Sequence, residues 1–222
     1  MTVAPAGPAA AARAWLLTGA VLRTPGTAER FCSEIMPSVR ERPGYLGAFV
    51  LLDRAAGAMR GLSFWRSQDE LAGSWGLVAE VADLVLGPGG TSLEGPWSYD
   101  VVLSRFPMVP GQARISAAER PVARVSVAEG GSIADPGVVG ALSTYAADLV
   151  PLPGCAGALV LVDPVRPRLL GASFWTDRSG VERTAEMAAR NAATLPAATG
   201  SVFADGGTYD VLVIEPMPRP VG

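Results

Sequence analysis

The sequence predicts an α+β protein made of two tandem β-α-β-β-α-β units whose sheets pack face to face within one chain. Three observations lead there. Pro43–Trp65, PGYLGAFVLLDRAAGAMRGLSFW, returns as Pro153–Trp175, PGCAGALVLVDPVRPRLLGASFW, 110 residues later, with no gap and 11 of 23 positions identical. The same offset pairs Tyr99-Asp100-Val101 with Tyr209-Asp210-Val211. An unbroken offset over so long a span reads as a duplicated domain. Within each copy, two apolar runs flank a short connection, which is the pattern of an antiparallel hairpin. These runs do not alternate with polar residues, so both faces of each strand need cover. Helical stripes flank both hairpins.

In chain order, Arg13 to Leu22 is mostly apolar and reads as a strand. Thr24 is placed to cap a helix with Pro25 at its first position. Phe31, Ile35 and Val39 give that helix its apolar stripe, and Pro37 falls inside it. Gly47–Leu52 and Gly61–Trp65 form the hairpin. Ser67-x-x-Glu70 is a capping box opening a helix that carries Leu71, Trp75, Val78, Ala82 and Val85 on one face. Gly87-Pro88-Gly89-Gly90 ends it, and Trp97–Ser104 is the fourth strand.

The second copy repeats the order. Val122–Ala128 is a strand, and Asp135-Pro136 starts a helix with Val138, Leu142, Tyr145 and Leu149. Gly157–Asp163 and Leu169–Trp175 form the hairpin. Ser179-x-x-Glu182 is a second capping box, two residues past the matching place. Tyr209–Glu215 is the last strand. The expected boundaries are a disordered tail over 1–12, domains over 13–104 and 120–215, a linker over 105–119, and a short tail over 216–222. Each half is the split-βαβ, or ferredoxin-like, arrangement.

Composition excludes several chemistries. The net charge is −3 with no basic run, so neither nucleic acid nor an anionic membrane is an expected partner. No apolar run approaches the ~20 residues of a membrane span, and the first twelve residues lack the basic start of a secretory signal, so a cytoplasmic location is expected. The chain has no His and no Lys. That removes Ser-His-Asp and Cys-His pairs, histidine metal and haem sites, the P-loop lysine and Schiff-base catalysis. Cys32 and Cys155 occupy non-equivalent places and read as two free thiols. No metal and no cofactor is expected.

Pro-Gly-x-x-Gly before the second strand and Phe-Trp ending the third resemble the antibiotic biosynthesis monooxygenase-like family, within the dimeric α+β barrel superfamily. Usual members are single domains that dimerise through their sheets, so this chain resembles a tandem-fused, pseudo-dimeric version. Whether fused monomers dimerise further is left open. The resemblance implies oxygenation of a polycyclic aromatic, an anthrone, quinol or phenol, without metal or flavin, using O₂ as the second substrate. It also implies a pocket between sheet and helices lined by a Trp on the third strand, which here is Trp65 or Trp175. The polyketide oxygenases carry Asn four residues before that Trp, where this chain has Gly61 and Gly171. Two other readings stand beside the enzyme: a non-catalytic ligand-binding or structural pseudo-dimer, and a cyclase or isomerase of the same substrate class.

Without His, an Asp, a Tyr or water must move any proton. The candidate catalytic residues are therefore Trp65, Tyr99 and Asp100. The candidate substrate-binding residues are Trp75, Trp97, Trp175 and Tyr209. Asp53 and Asp163 follow apolar strands and read as turn residues. Asn191, the chain's only Asn, reads as a helix position or a polar pocket group. Trp75 matches Ala185 and Trp97 matches Gly207, so an aromatic ligand is expected in the first half, against Trp65.

Overall fold

The computed structural model describes residues 11–87, 91–106 and 121–215. The strands are β1 (Ala11–Thr18), β2 (Tyr45–Asp53), β3 (Ala58–Trp65), β4 (Ser92–Arg105), β5 (Val122–Glu129), β6 (Cys155–Val162), β7 (Arg168–Trp175) and β8 (Val202–Glu215). The helices are α1 (Thr27–Arg40), α2 (Gln68–Ala72), α3 (Trp75–Leu86), α4 (Pro136–Leu149), α5 (Arg178–Arg183) and α6 (Ala185–Thr199). The expected tails over 1–10 and 216–222, the break at 88–90 and the linker over 107–119 lie outside the described residues.

The expected fold, two tandem β-α-β-β-α-β domains packed sheet to sheet as an intramolecular pseudo-dimeric α+β barrel, is not the one formed. The strands run β1-β3-β2-β8-β5-β7-β6-β4 and close as one eight-stranded barrel. The cause is the length of β4 and β8, 14 residues each where 5–6 is usual. Two compact units exist, and the first is not a continuous piece of chain: it holds residues 1–100 and 211–222, while the other holds 101–210. The boundary therefore falls inside β4 and inside β8. From sequence, only the distal parts of these strands, Trp97–Ser104 and Tyr209–Glu215, were apolar enough to read. The proximal parts are rich in Gly, Ser and acidic residues and largely exposed.

In the first unit, Phe31, Ile35, Met36 and Val39 form the buried stripe of α1. They pack on Trp15, Ala48, Val50 and Met59 from the sheet. Each fully buried side chain of this kind contributes about 2 kcal/mol. Pro37 is accommodated inside α1, and the helix starts at Thr27 after Gly26 rather than from a Thr24 cap. The expected single helix after Ser67 is two: α2 stops at Ala72, and α3 begins at Trp75. In the second unit, Ala128, Ile133, Ala146, Ala158 and Val160 form one apolar cluster, with Leu142 and Leu195 packed against it.

The helix caps show what the sequence reading resolved and where it slipped. Ser67 Oγ accepts from the Glu70 amide, as the capping box requires. The second box at Ser179 is not the cap. Asp177, at the place matching Ser67, accepts from the Gly180 amide, and Ser179 Oγ donates to it at 2.6 Å. Asp135 caps α4 with Pro136 following, as expected. We predict that Ser67→Ala lowers stability by about 1 kcal/mol, and that Asp177→Ala lowers the urea midpoint more than Ser179→Ala. A larger loss from Ser179→Ala would place the cap at Ser179.

Candidate functional site: a helix–sheet cavity in the second unit

Strand register decides which side chains can meet. In the first unit Ala11 pairs with both Trp65 and Asp100, while Ala12 pairs with both Phe64 and Tyr99. Directly paired residues share a face of the sheet, and the face alternates along each strand. Trp65 and Asp100 therefore lie on one face, Tyr99 and Phe64 on the other. Ala14 pairs with Leu62 and Trp97, which puts Trp97 on the Tyr99 face. The expected convergence of Trp65, Trp97 and Tyr99 does not occur. The side chain of Trp75 lies outside what the structure describes. The second unit repeats the division: Val122 pairs with Trp175 and Asp210, Ala123 with Phe174 and Tyr209.

Trp65 and Trp175 are both buried, and each indole N–H donates to the serine two residues earlier, Ser63 or Ser173, at 3.0 Å. Trp65 also meets Tyr45 edge to face at 5.6 Å. The Tyr45 hydroxyl donates to Glu215 at 2.6 Å, and Arg40 pairs with the same carboxylate. Burial and that carboxylate push the Tyr45 phenol well above its usual value. Asp100 accepts from Gln68 Nε2 at 3.3 Å, and Asp210 sits 3.6 Å from Arg178. Asp53 and Asp163 are turn residues, accepting from the amides of Ala56 and of Val165 and Arg166.

Each unit has an arginine on its first strand, buried in the first (Arg13) and half-buried in the second (Arg124). Arg13 donates to Ser74 Oγ at 2.6 Å, and Ser74 Oγ in turn donates to the Leu71 carbonyl. Burial pulls Arg13 down to about 10. Arg124 donates to the Thr184 carbonyl and hydroxyl at 3.2 Å and to the Val181 carbonyl at 2.5 Å. Both guanidinium groups thus hold the end of a short helix, α2 or α5, whose last carbonyls lack helical partners.

Two residues beyond each arginine the units diverge. Trp15 pairs with Gly61, and its place in the second unit, opposite Gly171, is held by Ser126. A Cβ on Gly61 would sit 2.0 Å from the Trp15 ring, whereas one on Gly171 would meet nothing within 4 Å. The helices follow the same split. α1 packs along α3, while among the described residues α4 and α6 barely touch. The space between helices and sheet is about 30 Å³ in the first unit and about 110 Å³ in the second. The larger cavity is walled mainly by leucines and alanines of α4, α6 and the sheet, with Arg124, Ser126, Tyr145, Ser173 and Asn191 as its polar groups. An aromatic ligand was expected against Trp65, but the roomier site lies in the other unit, and Trp175 does not line it.

Arg124 and Ser126 were missed for one reason. The gapless offset of 110 holds for the hairpins, but the paired registers place the first strands 111 apart, since Ala11 and Val122 both face the hairpin Trp. A slip of one residue exchanges the two faces of a strand. Aligning Arg13 with Arg124 was the available signal.

Solved structures share this fold. A protein of Fusobacterium nucleatum described provisionally as a monooxygenase matches with a TM-score of 0.66 and 10% identity, over 96% of this chain and 97% of that one. An anthrone oxidase-like protein matches with a TM-score of 0.64 and 16% identity, over 94% and 93%. A haem-binding protein of Thermus thermophilus matches with a TM-score of 0.51 and 10% identity, over 91% of each chain. The chain has no His to ligate a haem iron. No family model matches, and no curated protein does. No described helix is long and apolar enough to cross a membrane.

We predict that Gly61→Ala, which forces a methyl into the Trp15 ring, destabilises the protein by about 1–3 kcal/mol. Gly171→Ala should leave stability within about 0.5 kcal/mol of the parent, or raise it slightly. Equal losses in urea titrations would show that Ser126 does not open the space over Gly171. At these identities the neighbours speak for fold alone: the chain has the fold of these monooxygenase-like proteins.

Proposed function

We propose that this chain is a monooxygenase-like enzyme that oxidises an electron-rich aromatic in the second unit's helix–sheet cavity, with O₂ as oxidant and no metal or flavin. The observation that carries this reading is the cavity. It is mostly apolar, has a few polar groups, and lies between sheet and helices in a fold shared with monooxygenase-like proteins. The chemistry is borne by the substrate. A phenol or anthrone gives up a proton, and its anion passes one electron to O₂. The resulting radical pair joins through a new C–O bond, and the peroxide anion takes back the proton to give the hydroperoxide. Loss of water from the hydroperoxide leaves a quinone, so one substrate and one O₂ yield one quinone and one water. The protein binds the ring, favours the anion and excludes bulk water.

We read the two units as fused copies of one ancestral unit. Matched hairpin registers, matched caps at Ser67 and Asp177, and the paired arginines support this. A tailoring role on antibiotic-type aromatics follows from the family resemblance. A second reading, binding without turnover, is favoured by Gly61 and Gly171 standing where the polyketide oxygenases carry Asn.

The test is oxygen uptake with a panel of phenols, hydroquinones and anthrones, using chelator-treated, flavin-free protein. We expect uptake with at least one substrate. Ser126→Trp should cut it by about tenfold or more by filling the cavity as Trp15 does in the first unit. Uptake that survives Ser126→Trp would move the site elsewhere, and no uptake with any substrate would favour binding alone.

A further inference from the structure

The lining of the second-unit cavity is chemically one-sided. Its polar groups include Arg124 and Asn191, and among the described residues no Asp or Glu contributes to it. Arg124 makes three hydrogen bonds, all to neutral oxygens, and among the described residues no carboxylate pairs with it. A guanidinium carries five N–H donors, so part of the fork is left over. A partly buried cation without a counter-ion is costly, and an anion brought beside it relieves that cost. Burial pulls the Arg124 guanidinium below its usual value, and the nearby Tyr145 phenol acts the other way. Asn191 Nδ2 is shielded from solvent and has no acceptor among the described residues. It lines the same cavity. A cation and an orphaned donor lining one otherwise mostly apolar space describe a ligand with an anionic oxygen and an apolar body.

Size fixes the body. A dry cavity of about 150 Å³ takes one benzene ring, and this one measures about 110 Å³. Smaller than that, it holds no more than a single ring. A three-ring anthrone does not fit without α4 and α6 moving.

We propose that the second-unit cavity binds a monocyclic aromatic anion, a carboxylate or phenolate, with its oxygen held by Arg124 and Asn191 and its ring against the leucines. This rests on the same cavity being the ligand site, and it narrows the substrate class from polycyclic to single-ring acids and phenols. For the proposed oxidation, Arg124 then favours the phenolate over the phenol, which is the form that reduces O₂.

Calorimetric titration of the full chain under nitrogen tests it with two matched pairs: benzoate against benzamide, and 4-nitrophenolate against nitrobenzene. We expect at least one anion to bind about tenfold more tightly than its neutral counterpart, and Ser126→Trp to abolish that binding. Arg124→Gln should erase the preference while keeping the weak neutral binding. Because Arg124 also holds the end of α5, the wild-type preference stands as a separate measurement should that variant fail to fold. Equal affinities within both pairs, binding of none of the four, or anion binding unaffected by Ser126→Trp would each overturn the proposal. Anion preference without oxygen uptake would uphold it and defeat the oxygenase reading, so the two fail separately.

Discussion

A guanidinium placed on the first strand of a sheet must find acceptors, and in both units it finds them at the end of a one-turn helix. Arg13 reaches Ser74, and Arg124 reaches Thr184 and Val181. An isolated turn of five or six residues is marginal in water, and orphaned carbonyls at its end add to the difficulty. The arginine answers both problems at once. It ties α2 or α5 to the strand, and so fixes where the longer helix after it, α3 or α6, leaves to cross the sheet. The space between that helix and the sheet is then a matter of which side chain stands two residues along the same strand. A Trp fills it, and a Ser leaves it open.

The two units therefore share a frame and differ in what the frame contains. In the first, the Trp15 ring lies over Gly61 and meets Phe31 edge to face at 5.8 Å, and α1 packs along α3 above it. In the second, Ser126 and Gly171 leave the same place without a ring, and α4 and α6 part. The physical currency is packing volume: a tightly filled interior gains dispersion contacts that an open one gives up. The first unit is arranged to be stable, and the second gives up some of that packing for room.

Much of the local structure was legible in the sequence. The hairpins, the α1 stripe, the Ser67 cap and the Asp135-Pro136 start all follow from patterns within a few residues. What was not legible depends on register between distant strands. The aromatics Trp65, Trp97 and Tyr99 looked convergent because they cluster in composition, yet pairing with Ala11, Ala12 and Ala14 puts them on opposite faces. The shift from 110 to 111 between hairpins and first strands hid the correspondence of Trp15 with Ser126. The sharing of β4 and β8 between the two units was hidden by the proximal parts of these strands, whose polar, Gly-rich sequence gives no alternation to read.

Those two long strands carry a consequence for how the chain can be inherited or cut. A fragment ending near residue 106 would contain most of the first unit but lack Val211–Glu215, which belongs to it. It would lose the Glu215 carboxylate that receives Tyr45 and Arg40, and the strand that hydrogen-bonds along β2. The exposed β2 edge is apolar, the kind that recruits another strand. Likewise, a fragment starting near residue 121 would lack Val101–Arg105 and the β4 neighbour of β6. Each half is thus an incomplete fold awaiting the other's terminal strand. Two such fragments made together would be expected to complement, and either made alone to aggregate.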